Sequence, residues 1–449
     1  MAMGSCRREK FFTGSTSLQP SRDTIWFDTL FTKHSGSGYP LSVTKMFSFK
    51  NREKTTVKAN FRLGGGKNSA YRFNVDGVAG PEITNLEIPG KDSVFVFVQC
   101  TLEANNLTQP AIVLDSLLST VNGKEGKVLL AAYGWDAHYV RDSVLPCGGV
   151  WSDKVKPYVV IDNVLVDSLC TFTIKEGVNV YCSARSRFFV AGALRIEGTT
   201  AERVRFTGDK PVYNARFLPN QWVGIHFLRG NANSLIRYAD IHNAAIGLRV
   251  DSLPVGGPFN LTLENTSVKY CGQVCLAGIT AKVQATNCLF AEAGSYTFLG
   301  LLGGNYSFRH CTFAGYVYYG ARQDGHFAIT NTLRDGNGAI LDSRDLSCTA
   351  YNCIIDGGNK EELAIDNAGA AAFATDFQSC LIRSKSQPFA GMIYNRDIRF
   401  KDMLRSNYAL DTLSPAIDAG MVLSPAISVD LKGDLRDGSP DVGAFEFKK

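Results

Sequence analysis

The densest set of groups able to do acid–base chemistry is ARQDGHF (321–327), followed by Arg334–Asp335, Asp342 and Arg344–Asp345. On a strand, Arg322, Asp324 and His326 fall on one face, because side chains alternate with a period of two. A histidine base beside a guanidinium that neutralises a uronate is the equipment of a β-elimination. The plainer expectation is a solvated face with ordinary ion pairs. A second set is Tyr316, Tyr318 and Tyr319 in GYVYYGAR (315–322). Exposed, these rings could stack on sugar or form a protein-contact patch; turned inward, they are core. A third set is the run Asp430, Asp434, Asp437 and Asp441, with glycine among the carboxylates. Oxygen ligands on a Gly-rich loop can hold Ca2+. The spacing is not that of the D-x-[DN]-x-[DN]-G loop, and Asp also closes turns. The expectation is therefore no cofactor, with Ca2+ as the one ion to test. His226, His242 and His310 stand alone on strand-like segments and read as hydrogen-bonded structure. Gly64–Gly66 lacks a Gly-Lys-Ser/Thr sequence and a following helix, so it reads as a hairpin turn.

The elements that must position these groups form a ladder. IRYADIHNA (236–244), LENTSVKYC (263–271), QATNCLFAE (284–292), FRHCTFAGY (308–316), AITNTLRDG (328–336), AYNCIIDGG (350–358) and FQSCLIRSK (377–385) align with one another. The equivalent position reads Asp240, Ser267, Cys288, Cys311, Thr332, Cys353 and Cys380, in steps of 27, 21, 23, 21, 21 and 27 residues. A period in the low twenties, built from β-branched and aromatic residues with Gly and Asn at the corners, predicts a solenoid. One coil cannot bury its apolar face alone, so coils stack. Before the ladder, from 23 to about 145, alternating runs such as TTVKANFRL (55–63), DSVFVFVQCTL (92–102) and GKVLLAAYGWDA (126–137) are separated by turn residues. This spacing predicts a β-sandwich.

Composition narrows the function classes. Lys and Arg number 47 against 42 Asp and Glu, a net charge of +5, and the basic residues are dispersed. Nucleic acid is therefore a poor partner. No apolar run approaches the ~18 residues of a membrane helix. The twelve cysteines divide by position. Cys288, Cys311, Cys353 and Cys380 fall in register and read as buried thiols. Cys271 and Cys275 read as packing residues or a local disulfide, and the pairing of Cys147, Cys170 and Cys182 stays open. MAMGS reads as a cloning remnant. Cys6 then opens a polar tether and is similar to the lipid-bearing first residue of a bacterial lipoprotein.

The series VLVDSLCTFTIKEGVNVYC (164–182), RFFVAGALRIEGTTAERVRFTGD (187–209) and NQWVGIHFLRGNANSLIRYADIHNAAIGLRVDS (220–252) resembles the first coils of right-handed parallel β-helix repeat proteins of bacterial envelopes. The resemblance covers roughly 158–385. The first module resembles immunoglobulin-like modules of Bacteroidetes surface lipoproteins. SPAIDAG (414–420) and DLKGDLRDGSPDVGAFEF (430–447) resemble a block that follows such helices. The expected fold is all-β: an immunoglobulin-like β-sandwich, then a right-handed parallel β-helix with a C-terminal cap. The expected division is a tether at 1–22, sandwich at 23–148, linker at 149–158, β-helix at 159–400 and cap at 401–449.

Glycan-cleaving relatives in this fold imply NTD, DD, GHG and RIK motifs. This chain has NTL at 331–333, no DD and no RIK, so the paired carboxylates of inverting hydrolysis are missing. The expected function is that of a lipid-anchored outer-membrane or cell-surface protein acting as a non-catalytic interaction module. Its partners would be outer-membrane or surface proteins, as an accessory subunit, or envelope or dietary polysaccharide. The alternative is a polysaccharide lyase or glycoside hydrolase acting on an acidic glycan, which convergence of Arg322, Asp324 and His326 in a groove would favour. A plain adhesin or spacer is the third reading.

Overall fold

The computed structural model describes residues 10–32, 44–102, 111–209, 217–230, 233–251, 259–316, 322 and 324–448. Cys6, Tyr318 and Tyr319 lie outside them. The chain divides into two compact units, 1–137 and 138–449.

In the first unit, alternating apolar and polar residues build two five-stranded sheets. One holds Gln19–Pro20, Lys45–Lys50, Ser93–Cys100, Tyr71–Val75 and Val78–Gly80. The other holds Thr24–Phe31, Lys124–Trp135, Ala111–Val121, Val57–Leu63 and Glu82–Ile88. Val57–Leu63 shows the cause: each odd-numbered residue is buried. The inward residues of both sheets, among them Phe27, Phe49, Phe61, Tyr71 and Val96, share one core. Asn122 and Gly123, both at positive φ, close the hairpin that pairs Val121 with Lys124. This is the turn that Asn-Gly favours.

The second unit is a stack of coils, compatible with a parallel β-helix. Its large sheet has 25 strands, and each strand pairs in parallel with the equivalent strand of the next coil. Each full coil has three sides. The first side runs through Ala239–His242, Ser267–Cys271, Leu289–Ala293, Thr312–Gly315, Ile354–Gly357 and Leu381–Ile382. The second runs through Gly224–Phe227, Ile246–Asp251 and on to Phe327–Thr330 and Leu363–Asp366. The third runs through Ser234–Arg237, Leu261–Glu264 and on to Leu346–Tyr351 and Phe373–Gln378. Inward side chains form a continuous apolar column, rich in Phe between Phe290 and Phe377. Burying each such side chain contributes roughly 1.5–3 kcal/mol.

Four expectations change. First, the stack starts earlier than 159: His138–Val144 already pairs with Tyr158–Val166, and Val150–Trp151 with Thr171–Lys175. The expected linker is thus part of the first coils. Cys147 and Cys170 are disulfide-bonded across consecutive coils, and the thiols of Cys182, Cys271, Cys275, Cys288, Cys311, Cys348, Cys353 and Cys380 are free and buried. Second, Thr332 is not a rung. Tyr296–Arg309 pairs directly with Leu346–Tyr351, and Thr332–Arg334 forms an antiparallel hairpin with Ile340–Ser343. The coil from Cys311 to Cys353 is 42 residues long, and its insertions mimic two ordinary steps. Third, Asp240 and Ser267 align with Leu289, one position beyond Cys288.

Fourth, the C-terminal segment does not cap the last coil. That end is closed by Phe389 and Met392, which pack against the apolar column, with Phe389 stacked on Phe377 at 4.3 Å. Residues 398–447 lie along the outer flank of the first side. Phe400, Tyr408, Leu410, Ala416, Leu431, Val442 and Ala444 cover Leu289, Ala291, Ala314, Ile354 and Leu381. Strands there are apolar on both faces because both faces are buried.

Candidate cleft beside the C-terminal strap

The strap is positioned by one corner of the coils. Tyr238, Asn265, Asn287, His310, Asn352 and Ser379 follow the third side in register, and all have φ between 46° and 54°. Asn tolerates this left-handed conformation well. It also leaves amides pointing at the strap. Asn287 Nδ2 donates to the Val429 carbonyl at 2.8 Å, and Asn265 Nδ2 to that of Asp430. Asn352 exchanges bonds with Met421 at 2.8 and 2.9 Å. His310 accepts from Asn352 Nδ2 at Nε2, which leaves Nδ1 to donate to the Asp441 carbonyl at 3.1 Å. Burial, with Arg436 nearby, pulls the His310 pKa down to about 3. Arg436, itself buried, pairs with Glu446 at 2.9 Å and donates to Asn287 Oδ1 at 3.0 Å.

Five residues further along each coil is a second corner, between the first and second sides. There the column reads Asn243, Tyr270, Glu292, Gly315 and Gly357. Tyr270 and Glu292 have φ of 57° and 59°. For such side chains this conformation costs ~1–3 kcal/mol. Both open on a cleft of about 440 Å3, lined also by Phe217, Asn220, Gly272, Leu404 and Ser406. Gly272 admits the Asn220 side chain, which a Cβ there would meet at 1.8 Å. Phe217 and Tyr270 lie edge to face, 5.4 Å apart, and His242 packs on Tyr270 at 5.6 Å.

Glu292 Oε1 accepts from Ser406 Oγ at 2.5 Å and Tyr408 OH at 2.9 Å, the Tyr270 side chain also acts on the carboxyl, and Oε2 has no hydrogen-bond partner among the described residues. Burial holds this carboxyl above its usual range, against those hydrogen bonds and the charge of Lys269. Burial likewise pulls the Lys269 ammonium below its usual range, opposed by Glu292 and Asp240. Its Nζ lies 5.3 Å from the Tyr270 ring centroid. Burial, then Lys269, lowers His242 to about 3. Two titrating groups displaced toward each other beside a cleft are a functional-site signature. Of the three lone histidines, His226 bonds Asp251 at 2.7 Å and His310 bonds Asn352 and Asp441, while His242 Nε2 meets no partner among the described residues.

Arg322, Asp324 and His326 do not converge in a groove. Arg322 is buried in a two-pronged pair with Glu362, at 2.6 and 2.8 Å, and also donates to the carbonyls of Gly315 and Asp324. His326 is buried against Thr297, its Nδ1 2.5 Å from Oγ1, and burial followed by Arg322 keeps it well below the usual range. Asp324 alone faces solvent, at an open groove with Glu361 and Asp366. One strand face was expected; the three residues instead precede the strand Phe327–Thr330, with Arg322 and His326 together in the interior against Gly315, and Asp324 turned to solvent. Tyr316 is a half-buried strut: its hydroxyl bonds Asp356, and its ring packs on Phe400 and Tyr408. Asp356 also pairs with Arg383.

Three of the four aspartates of the strap hold backbone and the fourth pairs with a side chain. Asp430 accepts from the amides of Lys432, Asp434 and Glu446, Asp441 from those of Asp418 and Phe447, and Asp437 from that of Ser439. Asp434 pairs with Lys448. Among the described residues, no group of three or more His, Cys, Asp or Glu is placed to hold a metal ion. Among them, too, no helix is long and apolar enough to cross a membrane.

No protein-family model matches the chain, and no curated protein matches it. Solved structures with local likeness include the chaperone DraB of E. coli, at 9% identity over 28% of this chain and 58% of that chain. Another is a family 123 glycoside hydrolase from Clostridium perfringens, at 8% identity over 27% of this chain and 26% of that one. The TM-score is 0.19 in both cases. Likeness at that level carries no argument about fold or activity.

Proposed function

We propose that this chain is an envelope protein of the right-handed parallel β-helix repeat type, with an immunoglobulin-like first unit and a lipid on Cys6. In this reading it acts as a non-catalytic interaction module, an accessory subunit to an outer-membrane or surface protein. The supporting observation is the outer face of the second sheet of the first unit. Trp26, Ile112, Leu114 and Tyr133 are 51%, 53%, 60% and 38% exposed there. They are neighbours: Ala131 pairs with both Trp26 and Leu114, Tyr133 pairs with Ile112, and Trp26 stacks on Tyr133 at 6.2 Å. A contiguous apolar patch with two aromatic anchors is the composition of a protein-contact core.

The test is affinity recovery of the lipidated full-length protein from gently solubilised envelopes, beside the Trp26→Asp/Leu114→Asp double variant. Stoichiometric recovery of one membrane protein by the native chain, lost in the variant, supports the reading. Recovery of the chain alone, or a partner retained by the variant, contradicts it.

A further inference from the structure

We propose that the cleft between the Tyr270–Glu292 corner and the strap is a binding site for a neutral sugar, one or two pyranose rings in size. This is independent of the protein-contact face on the first unit.

Four observations lead there. The volume, about 440 Å3, lies within the ~300–1,000 Å3 of small-ligand sites. The walls are of two kinds. Phe217, Tyr270 and Leu404 give apolar surface, while Glu292, Asn220 and Ser406 give hydrogen-bonding groups. A pyranose has the same division, an apolar C–H face and a rim of hydroxyls. Glu292, only 6% exposed, lines the cleft with Oε2 unmatched by any donor among the described residues. An unmatched buried acceptor is costly, and a ligand hydroxyl would relieve it. Finally, charge selects against the other ligand that aromatics and a carboxylate can hold, an organic cation. Lys269 Nζ already lies 5.3 Å from the Tyr270 ring centroid and lends positive charge to Glu292, so a second cation there would meet repulsion.

Backbone strain accompanies this arrangement. At this corner Asn243, Tyr270 and Glu292 share the left-handed conformation, and the two of them that are not Asn face the cleft.

The test is saturation-transfer NMR and calorimetry on the full chain. The probes are glucose, galactose, mannose, N-acetylglucosamine, cellobiose and lactose, each at up to about 10 mM, with choline as the cationic comparison. At least one neutral sugar is expected to bind. Glu292→Gln and Phe217→Ala, each checked for an unchanged melting curve, are expected to weaken it by about tenfold or more. Phe217 sits on a loop, so its variant carries the test if Glu292→Gln disturbs folding. Absence of any sugar binding, binding that both folded variants retain, or binding of choline instead overturns the proposal. None of these outcomes touches the protein-contact reading, which rests on Trp26 and Leu114.

Discussion

Two corners of the same coils use the left-handed backbone, the second of them only at Asn243, Tyr270 and Glu292, and put it to different uses. At the corner of Asn265, Asn287, His310 and Asn352, side chains suited to the conformation turn outward and bind the strap. At the corner five residues later, Tyr270 and Glu292 hold the conformation at a cost, and between them a carboxyl oxygen is left without a donor. The first corner carries one comparable strain, at Tyr238, but Asn265, Asn287, His310 and Asn352 find their partners in the strap. The second holds Tyr270 and Glu292 in strained backbone and leaves a buried carboxyl oxygen without a partner among the described residues. Violations of that kind concentrate where a protein binds something. The contrast therefore separates a structural column from a recognition column within one repeat.

The largest effect is expected at the strap. Arg436→Ala removes a buried guanidinium and leaves Glu446 and Asn287 short of partners. A loss of about 3–5 kcal/mol is expected. In urea, only the transition of the second unit should move. Movement of both transitions would mean that the two units do not unfold separately.

Acid should act on the strapped corner next. Free histidine titrates near 6.5, whereas folded His310 and His242 do so at about 3. Between these values the unfolded chain binds protons that the folded one refuses. The stability they confer is thus full above pH 6.5 and is lost as pH falls toward 3, amounting to roughly a few kcal/mol. Asp441, facing His310 through its carbonyl, works the other way. Burial raises it to about 6, so its contribution grows as pH falls from 6 toward 3.8. Comparing urea midpoints of the native chain and His310→Gln across pH 7 to 4 isolates the histidine, and the variant should show the shallower acid loss.

A smaller effect is expected inside the stack. Cys288, Cys311, Cys353 and Cys380 follow the asparagine corner and point inward. Cys311→Ala should cost about 1 kcal/mol, as a one-atom truncation. In thiol labelling the nine free thiols of the described residues should react only on unfolding. Prompt labelling of the folded chain would place some of them at the surface.

Much of the second unit was legible because a stack repeats its inward residues. The column Cys288–Cys311–Cys353–Cys380 stands in true register. Thr332 was misread because a hairpin and a loop together supplied the length of a second coil, and length alone does not separate an insertion from a rung. The strap was misread for a different reason. Its aspartates close local turns, while its partners, Asn265 to Asn352, lie some 70 to 165 residues earlier. A cue was present: CLFAEA, CTFAGY and CIIDGG are apolar on both faces, unlike the one-sided SVKYC. Arg322 drew notice without Glu362, its partner on the next coil. Glu292 was missed because FAEAG reads as an ordinary strand. Aligning the coils on their asparagines exposes it, since the fifth residue onward then reads Asn, Tyr, Glu, Gly, Gly.

The most direct measurement is the urea stability, at pH 7, of two near-isosteric variants, Asn352→Asp and Glu292→Gln. Asn352→Asp sets a carboxylate against the Met421 carbonyl and His310 Nε2, both acceptors, and should cost about 3 kcal/mol. Glu292→Gln keeps an acceptor for Ser406 and Tyr408 while removing a buried charge, and should change stability by less than about 1 kcal/mol. Opposite behaviour at the two corners is the expected result. A comparable loss in both variants would contradict it, and would make Glu292 one more structural residue of the coil.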